Sequence, residues 1–224
     1  MDTLPPAEKE RKTVKQQRTM TDRIMDRLRR VYRIFWRRQL RNRNMTIIAN
    51  NCCAGMMYHD LGQRFDSPTI NLWIPDGYFF EFLNHLEHYV HSAPEQVFLD
   101  GIQYPVGRIT RGESEIIIHF IHYDSFDAAR QKWLERGRRI NRDNLYIVFN
   151  TTENSYIDQF LKLKYKHKVM LTRCEEHSPV PEHVVDMPVY RHSVASGIIL
   201  SYKSPCSFRR WLDDFDYVSF LNRT

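Results

Sequence analysis

Four residues able to do chemistry stand in a row at Asn50-Asn51-Cys52-Cys53, directly after the apolar run MTIIA at 45–49. The run reads as a buried parallel strand. The stretch AGMMYHDL after it reads as a helix over 54–61 that stops at Gly62. A strand that ends on amides and thiols just before a helix sets them beside the free N–H groups and partial positive charge of the helix start, which stabilise an anion. A thiol there gains thiolate character, and the amides of Asn50 and Asn51 can donate to an oxyanion or to a sugar hydroxyl. Free cysteines, however, are among the most buried residue types, and asparagines at strand ends commonly bond their own backbone. Cys53 is expected to be a packed core residue; for Cys52 the nucleophilic and packing readings both stand. Gly55 permits a close backbone approach.

A second set follows the run SEIIIHF at 114–120, which continues Ile121-His122-Tyr123-Asp124. His119 and His122 cannot share one face of a continuous strand, because side chains alternate with a period of two. A strand ending near Phe120 lets His122 turn over the sheet edge, where it can serve as general base toward a sugar hydroxyl or toward Cys52. His119 is the second candidate for that role, or a hydrogen-bonded core histidine. Two more strand ends are polar: Asn150-Thr151-Thr152-Glu153 after LYIVF, and Arg173-Cys174-Glu175-Glu176-His177 after KVMLT. In open α/β sheets ligands bind beyond the carboxyl ends of the strands, so Asn150 and Glu153 join the candidate binding residues. Arg136, Arg138, Arg139 and Arg142 form a solvated helix face from which one or two, Arg139 among them, can reach a phosphate or carboxylate. The histidines and Glu153 lack HExxH-type spacing, so no metal site is expected. P-loop, GxGxxG and GxSxG patterns are missing, which removes the usual supports for nucleotide hydrolysis, dinucleotide binding and lipase chemistry.

Around these residues, strands and helices alternate. Strands are expected at 45–49, 69–74, 96–99, 106–109, 114–120, 145–149, 168–172, 184–189 and 198–202. Helices are expected from Asp76 to about His91, from an N-cap at Ser125 to about Ile140, over about 155–165, and from Ser207. The alternation predicts an α/β fold, a three-layer α/β/α sandwich with a mainly parallel, mixed sheet, as one domain over 44–224. At 42% hydrophobic and 13% aromatic the chain can fill one full-sized core.

Charge is concentrated at one end. Residues 1–43 hold 14 Lys/Arg against 5 Asp/Glu, a net of +9, and the other 181 residues hold 19 against 22, a net of −3. The body therefore gives no reason to expect nucleic-acid binding. Within the N-terminal extension, Ile24, Leu28, Val31 and Phe35 share one face of an amphipathic helix amid arginines. Such a helix can lie on an anionic membrane surface or pack on a partner helix, or its stripe can dock on this chain's own body. No run is long and apolar enough to span a membrane, and the N-terminus lacks a signal-peptide core. Cys52, Cys53, Cys174 and Cys206 have neither metal spacing nor an unstrained disulfide pattern. A reducing cytoplasm is the expected location, peripheral on the inner face of the plasma membrane if the extension binds lipid.

Several motifs in order, TIIANNCCAGMMYHDLG, SPTINLWI, YPVGRI and IIHFIHYDSFDAARQKWLERGRRINRDNLYIVF, resemble a bacterial family known as domain of unknown function 1919. Its members are often labelled exopolysaccharide-biosynthesis proteins and sometimes acetyltransferases. The resemblance runs from about Asn44 through most of the chain, and the basic extension lies outside it. It adds Tyr58, Ser67 and Tyr123 to the candidate substrate-binding set of Asn50, Asn51, Asn150, Glu153 and Arg139. It implies an α/β sandwich and a place in capsule or exopolysaccharide assembly, without fixing a mechanism. The expectation is a sugar O-acyltransferase with Cys52, His122 and His119 as catalytic candidates. No bound cofactor is expected, the acyl donor is an acyl-CoA, and the acceptor is a sugar or lipid-linked oligosaccharide. The alternatives are a non-catalytic sugar or nucleotide-sugar binder that partners a membrane glycosyltransferase, or an atypical glycosyltransferase. The last lacks a DxD-like motif beside a strand, since the close pair Asp213-Asp214 falls in the expected final helix.

Overall fold

The computed structural model describes residues 20–174 and 179–223; Glu175, Glu176 and His177 lie outside the described residues. The element order is α1 Met20–Gln39, β1 Thr46–Ala49, α2 Cys53–Leu61, α3 Asp76–Asn84, α4 Leu86–His91, β2 Glu95–Val97, β3 Val106–Arg111 and β4 Ser114–His119. It continues with α5 Phe126–Gly137, β5 Leu145–Asn150, α6 Ile157–Leu161, β6 His167–Thr172, β7 Val184–Asp186 and α7 Tyr217–Leu221. The fold is α/β. The apolar strands pair in parallel in the order β1-β5-β6-β7, and β2-β3-β4 form a separate antiparallel sheet. Alternation along the parallel strands divides the core in two. Ile47, Ala49, Tyr146, Val148 and Leu171 face a cluster with α1, α2 and α7. Ile48, Ile147, Phe149 and Met170 face another with α3, α4, α5 and α6. Helices therefore cover both faces of the parallel sheet.

Five sequence expectations are corrected. No helix starts at Ser207: the segment forms a 3-10 turn, Trp211–Asp214, and only then α7, so Asp213-Asp214 precede the last helix. Residues 69–74 form no strand: only Trp73 bridges, antiparallel, to His119. The expected strand at 198–202 is a 3-10 turn, Ser196–Leu200. The helix from Asp76 breaks at His85 into α3 and α4, and Asp76 is the first helical residue after an N-cap at Pro75. The strand SEIIIHF belongs to the antiparallel sheet, so His119 and His122 do not follow a parallel strand. Other elements stand where local chemistry puts them. Gly62 ends α2 with φ at 65°, a left-handed conformation costly to residues with a Cβ. Ser125 caps α5 through Ala128 N–H.

α1 is joined to the body, but not by the stripe read from its sequence. Ile24, Leu28, Val31 and Phe35 are 43–66% exposed. The opposite face docks, with Trp36 and Leu40 in the core. On that face Arg29 is 1% exposed, its two terminal nitrogens bonded to the buried carboxylates of Asp60 on α2 and Asp213. Arg33 reaches Asp60 at 2.8 Å, and Arg210 reaches the same carboxylate at 3.4 Å. Burial alone lowers the Arg29 pKa, but the hydrogen bond to Asp213 and the charges of Asp60 and Asp213 outweigh it and raise the value. The guanidinium stays charged. Removing one member of such a buried set strands the others, at about 3–5 kcal/mol. Arg29→Ala should therefore lower the free energy of urea unfolding by about that amount, whereas Arg23→Ala on the exposed side should change it by no more than ~0.5 kcal/mol.

Candidate functional site

Beyond β1 the chain turns through Asn50 and Asn51, and Cys52 occupies the N-cap position of α2 with no side-chain cap of its own. Asn50 is fully buried and used in full by the fold. Its Oδ1 accepts from Asn150 N–H at 2.9 Å, and its Nδ2 donates to Asn150 C=O at 2.9 Å and to Asp76 Oδ1 at 3.1 Å. Asp76 also accepts from Thr151 Oγ1 at 2.5 Å. On the other face of β5, Asn150 Oδ1 accepts from the Tyr190 hydroxyl, and its Nδ2 donates to Ser196 C=O at 3.1 Å. The carboxyl ends of β1 and β5 are thus locked by one amide pair, with a half-buried carboxylate held on one side and a buried tyrosine on the other.

The second set gathers on the connector at 70–74. Ile74 N–H donates to Asn50 C=O at 2.8 Å, and Trp73 exchanges both backbone bonds with His119 at 2.8 Å. The Cys52 thiol lies 3.7 Å from Leu72 C=O as donor, and His122 N–H donates to Asn71 C=O at 3.3 Å. The connector therefore brings Asn50, Cys52, His119 and His122 together, although the strand expected there is not formed. Asn71 bends it, at a φ of 62° that side chains other than glycine seldom adopt. The Asn71 side chain is near the first turn of α2: a Cβ built on Gly55 would lie 3.7 Å from its Oδ1 and 3.5 Å from Ile70 Cγ2. Those are ordinary contacts, so Gly55 is not demanded by crowding among the described residues.

Individual environments separate the candidates. Asn51 is 6% exposed; its Oδ1 accepts from Cys53 N–H at 3.1 Å, and its Nδ2 has no hydrogen-bond partner among the described residues. Cys53 is fully buried, and burial, then the neighbouring Cys52, pushes its pKa far up, so it is a packed thiol. Cys52 is 8% exposed. His119 is 6% exposed, with its ring against Trp73 at 4.7 Å and its Nδ1 3.2 Å from the Tyr104 hydroxyl; burial lowers its pKa to about 4. His122 is exposed. Tyr123 donates to Ile70 C=O at 3.0 Å and accepts from Arg136 at 2.8 Å; burial raises its pKa and Arg136 opposes this.

Other candidates lie apart. The Tyr58 hydroxyl accepts from Ile47 N–H and donates to Met45 C=O, pinning the start of β1. Ser67 is buried against Thr69, whose Oγ1 accepts from Ala49 N–H. Arg139 is held by Phe65 C=O, Asp66 and Glu135. Glu153 is exposed beyond β5. Sequence reasoning missed Asn71, Trp73 and Tyr104 around the histidines, and took Asp76 only as the start of a helix. An aspartate starting a helix just after the run TINLWI was the available signal for Asp76. Among the described residues, no group of three or more His, Cys, Asp or Glu is placed to hold a metal. A groove of about 470 Å³ lies at the opposite end of β5, lined by Leu83, His85, His88, Leu145 and Tyr165, away from these residues.

The family model described as "Domain of unknown function (DUF1919)" matches residues 24–222. It includes most of α1, which the motif resemblance had left out. An uncharacterized protein of Haemophilus influenzae strain Rd is 32% identical over 191 residues, covering 83% of this chain and 87% of its own length.

Two measurements probe this geometry. His119 titrates near 6.5 when unfolded and near 4 when folded. Between those values the unfolded chain binds more protons, so its contribution to stability is complete above pH 6.5 and declines as pH falls toward 4. The loss approaches about 3 kcal/mol. The stability difference between the native chain and His119→Gln should shrink by that amount across this window in urea titrations. Gly55→Ala should fit and stabilise the fold by ~0.5–1 kcal/mol through reduced freedom of the unfolded chain, read as a raised melting temperature.

Proposed function

Since the chain belongs to the DUF1919 family, we propose, from the side chains gathered at the start of α2, that it transfers an acyl group from an acyl-CoA to a sugar hydroxyl. The acceptor is a surface polysaccharide or its lipid-linked oligosaccharide precursor. One observation carries the reading: the buried Asn51 Nδ2, next to Cys52 at a helix N-terminus, is a donor without a partner among the described residues, and the connector at 71–73 links this turn to His119 and His122. An unmade hydrogen bond in a buried place is costly and suits a group that arrives during turnover.

In this reading the sugar oxygen attacks the thioester carbonyl. The new C–O bond forms as the carbonyl oxygen takes up charge, which Asn51 Nδ2 and the positive end of the α2 dipole stabilise. The C–S bond then breaks. His122, exposed and anchored by its backbone to Asn71, takes the hydroxyl proton and delivers it to the departing thiolate. His119, kept neutral by burial, is the second base. Cys52, buried with its thiol toward Leu72 C=O, forms the wall of the site and no acyl-enzyme.

A second reading, a non-catalytic sugar binder serving a membrane glycosyltransferase, is favoured by Trp73 and Tyr104. Both are half-buried beside His119 and offer flat apolar faces to a sugar ring.

Release of free CoA thiol from acetyl-CoA, with a panel of oligosaccharides and nucleotide sugars, tests the first reading. His122→Ala should lower kcat by about 10²–10⁴ and Asn51→Ala by about 10²–10³, while Cys52→Ala retains turnover. Absence of turnover across the panel, with a thermal shift from a sugar ligand but none from acetyl-CoA, would favour the binder and sink the transferase.

A further inference from the structure

Docking by way of Arg29, Trp36 and Leu40 turns the other face of α1 outward. That face carries Ile24, Leu28, Val31, Ile34 and Phe35, all 43–66% exposed. Large apolar side chains in one contiguous stripe mark an interaction surface. The row beside it names the partner. At 3.6 residues per turn, Arg27 and Arg38 border the line of Ile24, Leu28, Val31 and Phe35, and with Arg23 and Arg30 they surround Ile34; all four are exposed. Asp26 lies on the far side of the row from the stripe, three residues after Arg23 and four before Arg30. The arginines that neutralise the buried carboxylates are different ones, Arg29, Arg33 and Arg210, so the outer row is available to charges outside the chain. Pairing two copies through the stripe would add a cationic row and no acidic one. No described helix is long and apolar enough to cross a membrane.

We infer that α1 is an in-plane anchor that lays the Ile24–Phe35 stripe into an anionic lipid surface, with Arg23, Arg27, Arg30 and Arg38 among the headgroups. An interfacial helix combines an apolar face reaching the acyl boundary with a basic edge that meets anionic lipid. This inference is independent of the acyl-transfer reading, because it rests on the far side of α1 and on no residue of that site.

Cosedimentation of the full chain with vesicles of phosphatidylcholine, pure or mixed with phosphatidylglycerol, tests it. The chain should sediment with the mixed vesicles and not with the pure ones. Binding should fall steeply toward 1 M salt, where the screening length is about 3 Å. Arg27→Gln and Arg30→Gln should each weaken partitioning about five-fold, the factor equivalent to ~1 kcal/mol per basic residue. Val31→Ser with Phe35→Ser should abolish binding while circular dichroism and melting temperature stay unchanged, since both side chains are exposed. Failure to sediment with mixed vesicles, equal sedimentation with both kinds, or undiminished binding by the serine double variant would overturn the inference. So would a dimer in sedimentation velocity that the double variant dissolves without any vesicle binding by the native chain.

Discussion

A guanidinium buried between two carboxylates decides how α1 faces. Asp60 and Asp213 are both buried, and an ionised carboxylate in a core is tolerable only with a cation and hydrogen bonds beside it. Arg29 supplies both, in the two-pronged geometry that suits a guanidinium. Its ring neighbours seal the site: the charge sits 5.2 Å from the Trp36 ring and 5.8 Å from that of Tyr32. Once Arg29 is fixed, helical geometry leaves no choice for the rest of α1. The stripe at the other side of the helix points away from the core, the reverse of the usual amphipathic arrangement. The same bond ties the chain's early and late segments, since Asp213 precedes α7, which closes the same core cluster as Trp36.

Satisfaction of polar groups governs the sheet's carboxyl edge as well. A buried asparagine follows β1 and another ends β5, and each amide is used to close backbone or side-chain groups that would otherwise be stranded. The connector at 70–74 then spends its own backbone on both sides, on Asn50 and on His119. In this way a short irregular segment joins the parallel sheet to the antiparallel one. Asn51 departs from this pattern, as does the Thr172 hydroxyl at the end of β6: only half of the Asn51 amide is engaged among the described residues. That contrast, more than the presence of a thiol, supports the proposed role of the start of α2.

Much of the fold was legible because it rests on local signals. The apolar runs at β1, β5 and β6 have no alternative to a buried parallel sheet, and Ser125 and Gly62 announce helix ends by their own chemistry. What escaped depends on tertiary partners. TINLWI has strand composition, but its residues pair singly, with Asn50 on one side and His119 on the other. The stripe of α1 reads as a docking or binding face, and nothing local to it reveals that two distant aspartates claim the basic side. The candidate site divides in the same way. Asn50, Asn51, Cys52 and the histidines were visible as residue types beyond strand ends. The turn at Asn71 and the ring of Tyr104 against His119 require the connector's path, which no periodicity specifies.

The two ends of α2 tie these arguments together. Its nine residues span about 13 Å. The last turn carries Asp60, held by the inner face of α1, and the first turn carries the backbone and side chains gathered at Cys52. Between them the helix is buried on residues such as Ala54, Met57 and Leu61, which pack in the same cluster as Trp36. A rigid element of this length transmits position well, because a packed core does not deform continuously. If α1 lies on a lipid surface, α2 links the site to the helix that touches lipid and separates them by no more than its own length. An acceptor sugar carried on a lipid would meet the site within that reach, and a free sugar would gain nothing from the arrangement. The ionic bond that orients α1 would then also set the distance at which the chemistry takes place, which gives a reason for a buried charge cluster where an apolar contact would have held the helix equally well.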